Sequence, residues 1–140
     1  MKFKLKIEKS SYPLGEGDDA EEVAKVIIVS PDKEVLLLRR ADHMIWEPNK
    51  WDLPGGHRKE NEEIKDAARR EVKEELGIDI EDLSKVDEFD KITLYRTSKE
   101  KEEDYKLDDE NQEAKWINIS ALNNIELVPK IEKYIRKVLV

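Results

Sequence analysis

Residues 56–78 read GHRKENEEIKDAARREVKEELGI, opening on a glycine and closing on three glutamates, Glu71, Glu74 and Glu75. The stretch predicts a glycine-led loop running into a helix. At about 100° per residue, spacings of three and four put those carboxylates on one face. The same stripe runs back through Ala68, Ala67 and Ile64, which are apolar and should face a core. The acids are therefore expected where an amphipathic helix turns inward. Three like charges there repel unless a cation lies among them, which favours a divalent-metal site over a Glu-rich helix that is merely soluble.

The helix is expected to begin at Asn61 as N-cap, with Glu62 and Glu63 in a first turn favoured by the helix dipole. Gly77 fits the left-handed position that closes many helices. Lys65, Asp66, Arg69 and Lys73 form the solvated face, and Asp66–Arg70 and Arg70–Glu74 are possible pairs at i,i+4.

Gly56, Glu62, Arg70, Glu71, Val72, Glu74, Glu75, Gly77 and Ile78 fill, in order, every fixed position of a known signature. The stretch resembles the box of the Nudix hydrolases, and Trp51-Asp52-Leu53-Pro54-Gly55 is similar to the family's approach to that box. The resemblance implies an α/β/α sandwich with a mixed β-sheet, a central catalytic helix and a C-terminal helix. It also implies hydrolysis of a nucleoside diphosphate linked to another moiety. A hard dication, Mg²⁺ with Mn²⁺ as a substitute, suits oxygen ligands from Glu71, Glu74 and Glu75. Similarity to the family adds the Gly55 carbonyl. Thiolates and histidine clusters are absent from the sequence, which argues against zinc.

Glu71 and Glu75 each qualify as the base that takes a proton from water. Arg70 reads either as the group that orients a neighbouring carboxylate or as a surface partner of Asp66. Glu62 is open in the same way, as a catalytic-site acid or a first-turn acid. Glu110, six residues before Trp116, resembles a family acid and is a candidate metal ligand or base; its acidic surroundings equally suit a solvated loop. Glu113 is a weaker candidate. Arg39 and Arg40 end a strand, and alternation sends them to opposite faces, Arg39 being assigned to a substrate phosphate by resemblance. Trp46 and Tyr95 are candidates to stack on a base, or else core aromatics. Trp51 reads as structural, and His43 and His57 have no metal partner by spacing.

Residues 39–44 and 51–56 resemble the oxidised-nucleotide triphosphatases. Near the C-terminus the chain departs from them, with Leu127 or Val128 before Pro129 where those enzymes carry an asparagine. Tyr95, 17 residues past Ile78, is similar to a tyrosine of dinucleoside-polyphosphate hydrolases. A nucleoside triphosphate or modified nucleotide is thus the first expectation. A dinucleoside polyphosphate, or a nucleotide-sensing domain without catalysis, is the alternative.

The whole chain sets the bounds. Its 140 residues suit one domain, 1–140, with 38% apolar and 43% charged residues of mixed sign. A net charge of −8 argues against a general nucleic-acid binder while allowing a small nucleotide at a local cation. Without cysteine there is no disulfide or thiolate chemistry. No apolar run approaches 18 residues and the start lacks a signal-peptide core, so no membrane partner and a cytoplasmic location are expected.

Strands are predicted over 2–8, 23–29, 35–38, 51–53, 86–97 and 114–119, with a loop over 11–22 and a turn over 30–33. Residues 41–50 form a loop, 80–85 a connection and 98–109 a charged, protruding hairpin. Residues 120–122 make one helical turn. Pro129 begins a last helix whose apolar stripe is Ile131, Tyr134, Ile135, Val138 and Leu139.

Overall fold

In the computed structural model, which describes residues 22–102 and 104–139, strand β1 (Val23–Val29) is buried along its whole length. A strand covered on both faces needs apolar residues in both registers, and VAKVIIV supplies them with one exception, Lys25. Ala24, Val26 and Ile28 enter one core, while Ile27 and Val29 enter another on the opposite face. The chain continues through β2 (Glu34–Arg40), β3 (Trp51–Asp52), β4 (Gly55–His57) and helix α1 (Ile64–Leu76). Then come β5 (Ser84–Phe89), β6 (Ile92–Ser98), β7 (Asn111–Asn118), a 3-10 helix (Ile119–Asn124) and α2 (Ile131–Leu139).

The strands form one sheet in the order β3-β2-β1-β6-β5, with β4 also paired to β1 and β7 to β2. β1 and β6 run parallel, from Val23↔Ile92 to Val29↔Ser98, and the other pairs are antiparallel. The sheet is therefore mixed. Ala68, Val72 and Leu76 of α1 cover one face, and Ile131, Tyr134 and Ile135 of α2 cover the other, with Val138 and Leu139 packed at its margin. This is the expected α/β/α sandwich.

Several local expectations change. The strand predicted over 2–8 and nearly all of the loop over 11–22 lie outside the described residues. The single strand expected over 86–97 is a hairpin of β5 and β6, turned by Asp90 and Lys91 at φ 45° and 67°. Both turn residues are left-handed without a glycine to announce it. Where a hairpin is expected over 98–109, Ser98 ends β6 and the described residues 99–102 and 104–109 carry no strand. Residues 104–109 run irregularly over the α1 side, with Tyr105 and Leu107 against that core, Lys106 N–H donating to the Leu76 carbonyl at 3.1 Å and Trp116 Nε1 donating to Tyr105 Oη at 3.0 Å. Asn61 is not the N-cap: it turns at φ 67°, and Glu63 precedes the helix with no side-chain capping bond. Gly77 closes α1 at φ 74°, its N–H donating to the Lys73 carbonyl.

Candidate active site

Two glycines let α1 approach the sheet. Gly55 has φ +141°, and a Cβ there would stand 2.0 Å from the Ala24 carbonyl oxygen. At Gly56 a Cβ would meet the Glu71 carboxylate at 2.5–2.7 Å. Backbone and acid are thus in direct contact, which any side chain would prevent. Gly55 N–H donates to Glu75 Oε1 at 2.9 Å, and Glu75 is only 7% exposed. Burial pushes the Glu75 carboxyl well above the usual carboxylate range, with the Lys25 charge opposing. Burial also raises Glu71, to about 7, against the pull of Arg70.

Arg70 is the hub of the remaining acids. Its Nε donates to Glu62 Oε2 at 2.8 Å and its Nη2 to Glu62 Oε1 at 3.0 Å, a two-pronged pair. Nη2 also reaches the His57 carbonyl at 3.0 Å. Nη1 donates to Glu71 Oε2 at 3.2 Å and to Glu74 at 3.3 Å. The Arg70 hydrogen bonds draw the Glu62 carboxyl down to about 2. Glu62 is therefore no first-turn acid; it lies before the helix and is bound to Arg70 eight residues on. The expected Asp66–Arg70 pair gives way to Asp66–Arg69 at 3.2 Å.

This arrangement corrects the idea that the acids need a dication merely to coexist. Arg70 supplies a counter-charge to Glu71 and Glu74 as well as to Glu62, and burial favours a proton on Glu71 and Glu75. Glu74 is half-exposed instead of turned inward. Among the described residues, no three His, Cys, Asp or Glu side chains stand grouped as a ready-made metal cage. The donor set nevertheless fits a hard dication: every nearby side-chain ligand is a carboxylate oxygen, and two are held at raised pKa where a positive charge would be welcome.

A family profile described as the NUDIX domain matches residues 20–138. The chain belongs to the Nudix hydrolase family. The human m7GpppN-mRNA hydrolase NUDT17 is 49% identical over 53 residues, 38% of this chain and 16% of that protein's length. The chain thus spans only a small part of the curated relatives it matches. Among solved structures, a MutT protein of Methanosarcina mazei Go1 is 27% identical with a TM-score of 0.64, covering 84% of this chain and 91% of that one. A C. elegans Ap4A hydrolase in a binary complex is 24% identical with a TM-score of 0.65, covering 83% and 94%, and shares the fold. No described helix is long and apolar enough to cross a membrane.

Beyond the Nudix box, the structure sorts the other candidates. Arg39 is half-buried, donating from Nε to the Asn49 carbonyl at 3.1 Å, with Glu113 3.9 Å away. Arg40 is the buried member of the pair; its Nε donates to the Trp46 carbonyl at 2.9 Å and its guanidinium lies 5.0 Å from the Trp46 ring centroid. Trp46 is half-buried against the α2-side core. Tyr95 is 4% exposed within the α1-side core, so its ring is a packing element and not an open stacking surface. Glu110 is exposed, its carbonyl accepting from Ala41 N–H at 2.9 Å. Asp108, two residues earlier, is half-buried and near enough to raise the Glu75 carboxyl. Sequence reasoning passed over it because one acid in an acidic run carries no distinguishing mark. It also passed over Lys25 and Asp52, whose Nζ–Oδ2 ion pair at 3.0 Å is buried on both sides. A lone lysine in an otherwise apolar strand was the available signal.

Proposed function

We propose that this chain is a Mg²⁺-dependent hydrolase, active also with Mn²⁺, that cleaves a phosphoanhydride bond of a nucleoside diphosphate linked to another moiety. The first choice of substrate is a nucleoside triphosphate or a modified nucleotide. The observation that carries the reading is the pair of glutamates, half-buried Glu71 and buried Glu75, pressed against the Gly55–Gly56 backbone. Divalent-metal dependence is general among Nudix hydrolases. Glu71, Glu74, Glu75 and the Gly55 carbonyl would hold the ion, with Glu110 as an outer candidate. When bound, such an ion neutralises phosphate charge and makes a water more acidic.

The chain's own residues would do the rest. Glu71 or Glu75 accepts the proton of the attacking water; burial raises both carboxyls, that of Glu71 to about 7, where a base is most useful. Arg70 holds Glu71 in orientation and keeps Glu62 ionised. Arg39, half-buried near the end of β2, is the candidate for a substrate phosphate, and Trp46 for the flat face of a base. Nothing favours Tyr95 for stacking, given its burial.

A second reading has support from the relatives. The names m7GpppN-mRNA and Ap4A both describe nucleosides joined through phosphoanhydrides, so a dinucleoside polyphosphate or a capped end stays within the proposed class. A panel of nucleoside triphosphates, oxidised nucleotides, Ap4A and a cap analogue, run with Mg²⁺ and with Mn²⁺, tests this by product identification. Release of a nucleoside monophosphate from any member supports hydrolysis. Tight nucleotide binding without turnover of any member would leave a sensing domain instead.

A further inference from the structure

Lys25 occupies the middle of the sheet, with 3% exposure on a strand whose other residues are apolar. An apolar residue would fill that position at less cost in desolvation, because buried ion pairs are often replaceable without loss of stability. The contacts of the ammonium give it a local purpose. Nζ donates to Asp52 Oδ2 at 3.0 Å and to the Leu53 carbonyl at 3.1 Å. Asp52 turns its other oxygen to Leu53 N–H at 2.7 Å, and Arg40 Nη1 stands 3.9 Å from Oδ2. One cation therefore grips residues 52 and 53 through a side chain and a carbonyl together.

The next residues lead straight to the acids. The Pro54 carbonyl accepts from Val26 N–H at 2.9 Å, and Gly55 faces Lys25 itself across the β1–β4 ladder. Gly55 N–H then holds Glu75 Oε1. We propose that Lys25 is a positioning residue of the active site: by clamping the 52–55 turn it keeps the Gly55 amide on Glu75 and sets that carboxylate for metal binding. This rests on the metal-dependent reading above.

The test separates positioning from mere stability. Mn²⁺ binding is read by the electron paramagnetic resonance signal of the free ion, and Tm by circular dichroism. Lys25→Met alone leaves Asp52 with only the more distant Arg40 as counter-charge and should lower both. Lys25→Met with Asp52→Asn removes both buried charges; Tm should return to within about 5 °C of the original protein, while the Mn²⁺ dissociation constant stays roughly tenfold or more weaker. Leu122→Ala, a cavity in the α2-side core, should lower Tm and leave Mn²⁺ binding unchanged. Should the double variant fail to fold, Lys25→Met, assayed well below its Tm, must show the same weakened binding. If the folded double variant, or folded Lys25→Met, binds Mn²⁺ as the original protein does, Lys25 is only a core residue. If the original protein itself binds no Mn²⁺, the metal-dependent reading fails and this proposal with it.

Discussion

Gly55 N–H donates to Glu75 Oε1 at 2.9 Å, so the first residue of β4 fixes a helix side chain 20 residues later in the chain. The bond uses one oxygen of a carboxylate that burial already pushes toward its neutral form. Glu75→Gln keeps an oxygen for the Gly55 amide and removes the buried charge. We expect the fold to persist, with Tm in metal-free buffer equal to or above that of the original protein. Turnover on a true substrate should fall by roughly 10²–10⁴. Steady-state kinetics on Glu75→Gln and Glu74→Gln check this, and full activity in both would show that neither acid acts as assigned.

The Glu71 carboxyl titrates near 7 in the folded protein against a reference of 4.5. Below pH 4.5 the group is protonated whether folded or unfolded and costs nothing. As pH rises the unfolded chain releases the proton first, so stability is lost progressively until pH passes about 7. Glu75 is shifted in the same direction. Metal-free protein should therefore melt higher near pH 5 than near pH 8, as far as these two groups decide it. Saturating Mg²⁺ favours the ionised carboxylates and should raise Tm more near pH 8 than near pH 5. Calorimetry at both pH values reads the difference, and Glu71→Gln should shrink it. An equal Mg²⁺ shift at both pH values would contradict the assignment.

Gly55 combines φ +141° with a would-be Cβ 2.0 Å from the Ala24 carbonyl oxygen, and the obstacle is backbone. Gly55→Ala must separate β4 from β1 or strain the turn. A loss of more than about 3 kcal/mol is expected. Gly56→Ala differs in kind, because its obstacle is the Glu71 side chain, which can rotate away. That variant should stay folded and lose activity. Urea unfolding and kinetics on the two variants distinguish them, and a Gly55→Ala protein of undiminished stability would overturn the geometry.

Periodicity made the two helices and the central strands legible. Of the expected stripe, Ala67 and Ala68 are buried and Ile64 is half-buried, with Val72 and Leu76 joining them, and Ile131, Tyr134 and Ile135 are buried as expected. The Asp90–Lys91 turn escaped because left-handed turn residues are usually announced by glycine or asparagine, and this pair is merely polar. Residues 98–109 look solvated by composition, yet Tyr105 and Leu107 tie the segment to the core, a long-range contact that local charge conceals. At the site, spacing located the glutamates but not their partners. Arg70 selects Glu62 over Asp66 because Glu62 sits ahead of the helix and offers both oxygens to the guanidinium. Helical spacing rules describe neighbours on the helix and say nothing of a residue that approaches from the preceding loop. Lys25 and Asp52 lie 27 positions apart and meet only because β1, β2 and β3 are neighbours in the sheet.

The Glu62–Arg70 pair carries the remaining prediction. Two hydrogen bonds at 2.8 and 3.0 Å hold the Glu62 carboxyl at about 2, below its reference of 4.5. A lowered carboxyl contributes stability that is fully present above the unfolded value and disappears as pH falls from about 4.5 through about 2. Glu62→Gln cannot ionise, so it lacks that contribution at neutral pH and has nothing to lose on acidification. The cost at pH 7 should be about 2 kcal/mol, the range for a hydrogen bond between charged partners. Arg70 would keep Glu71 and Glu74 as partners, so the remaining guanidinium contacts should survive. Chemical unfolding of the original protein and of Glu62→Gln, at pH 7 and again near pH 2.5, measures the gap between them. The gap should narrow on acidification; a gap that stays constant across this range would mean that Glu62 stabilises by packing and not by its charge.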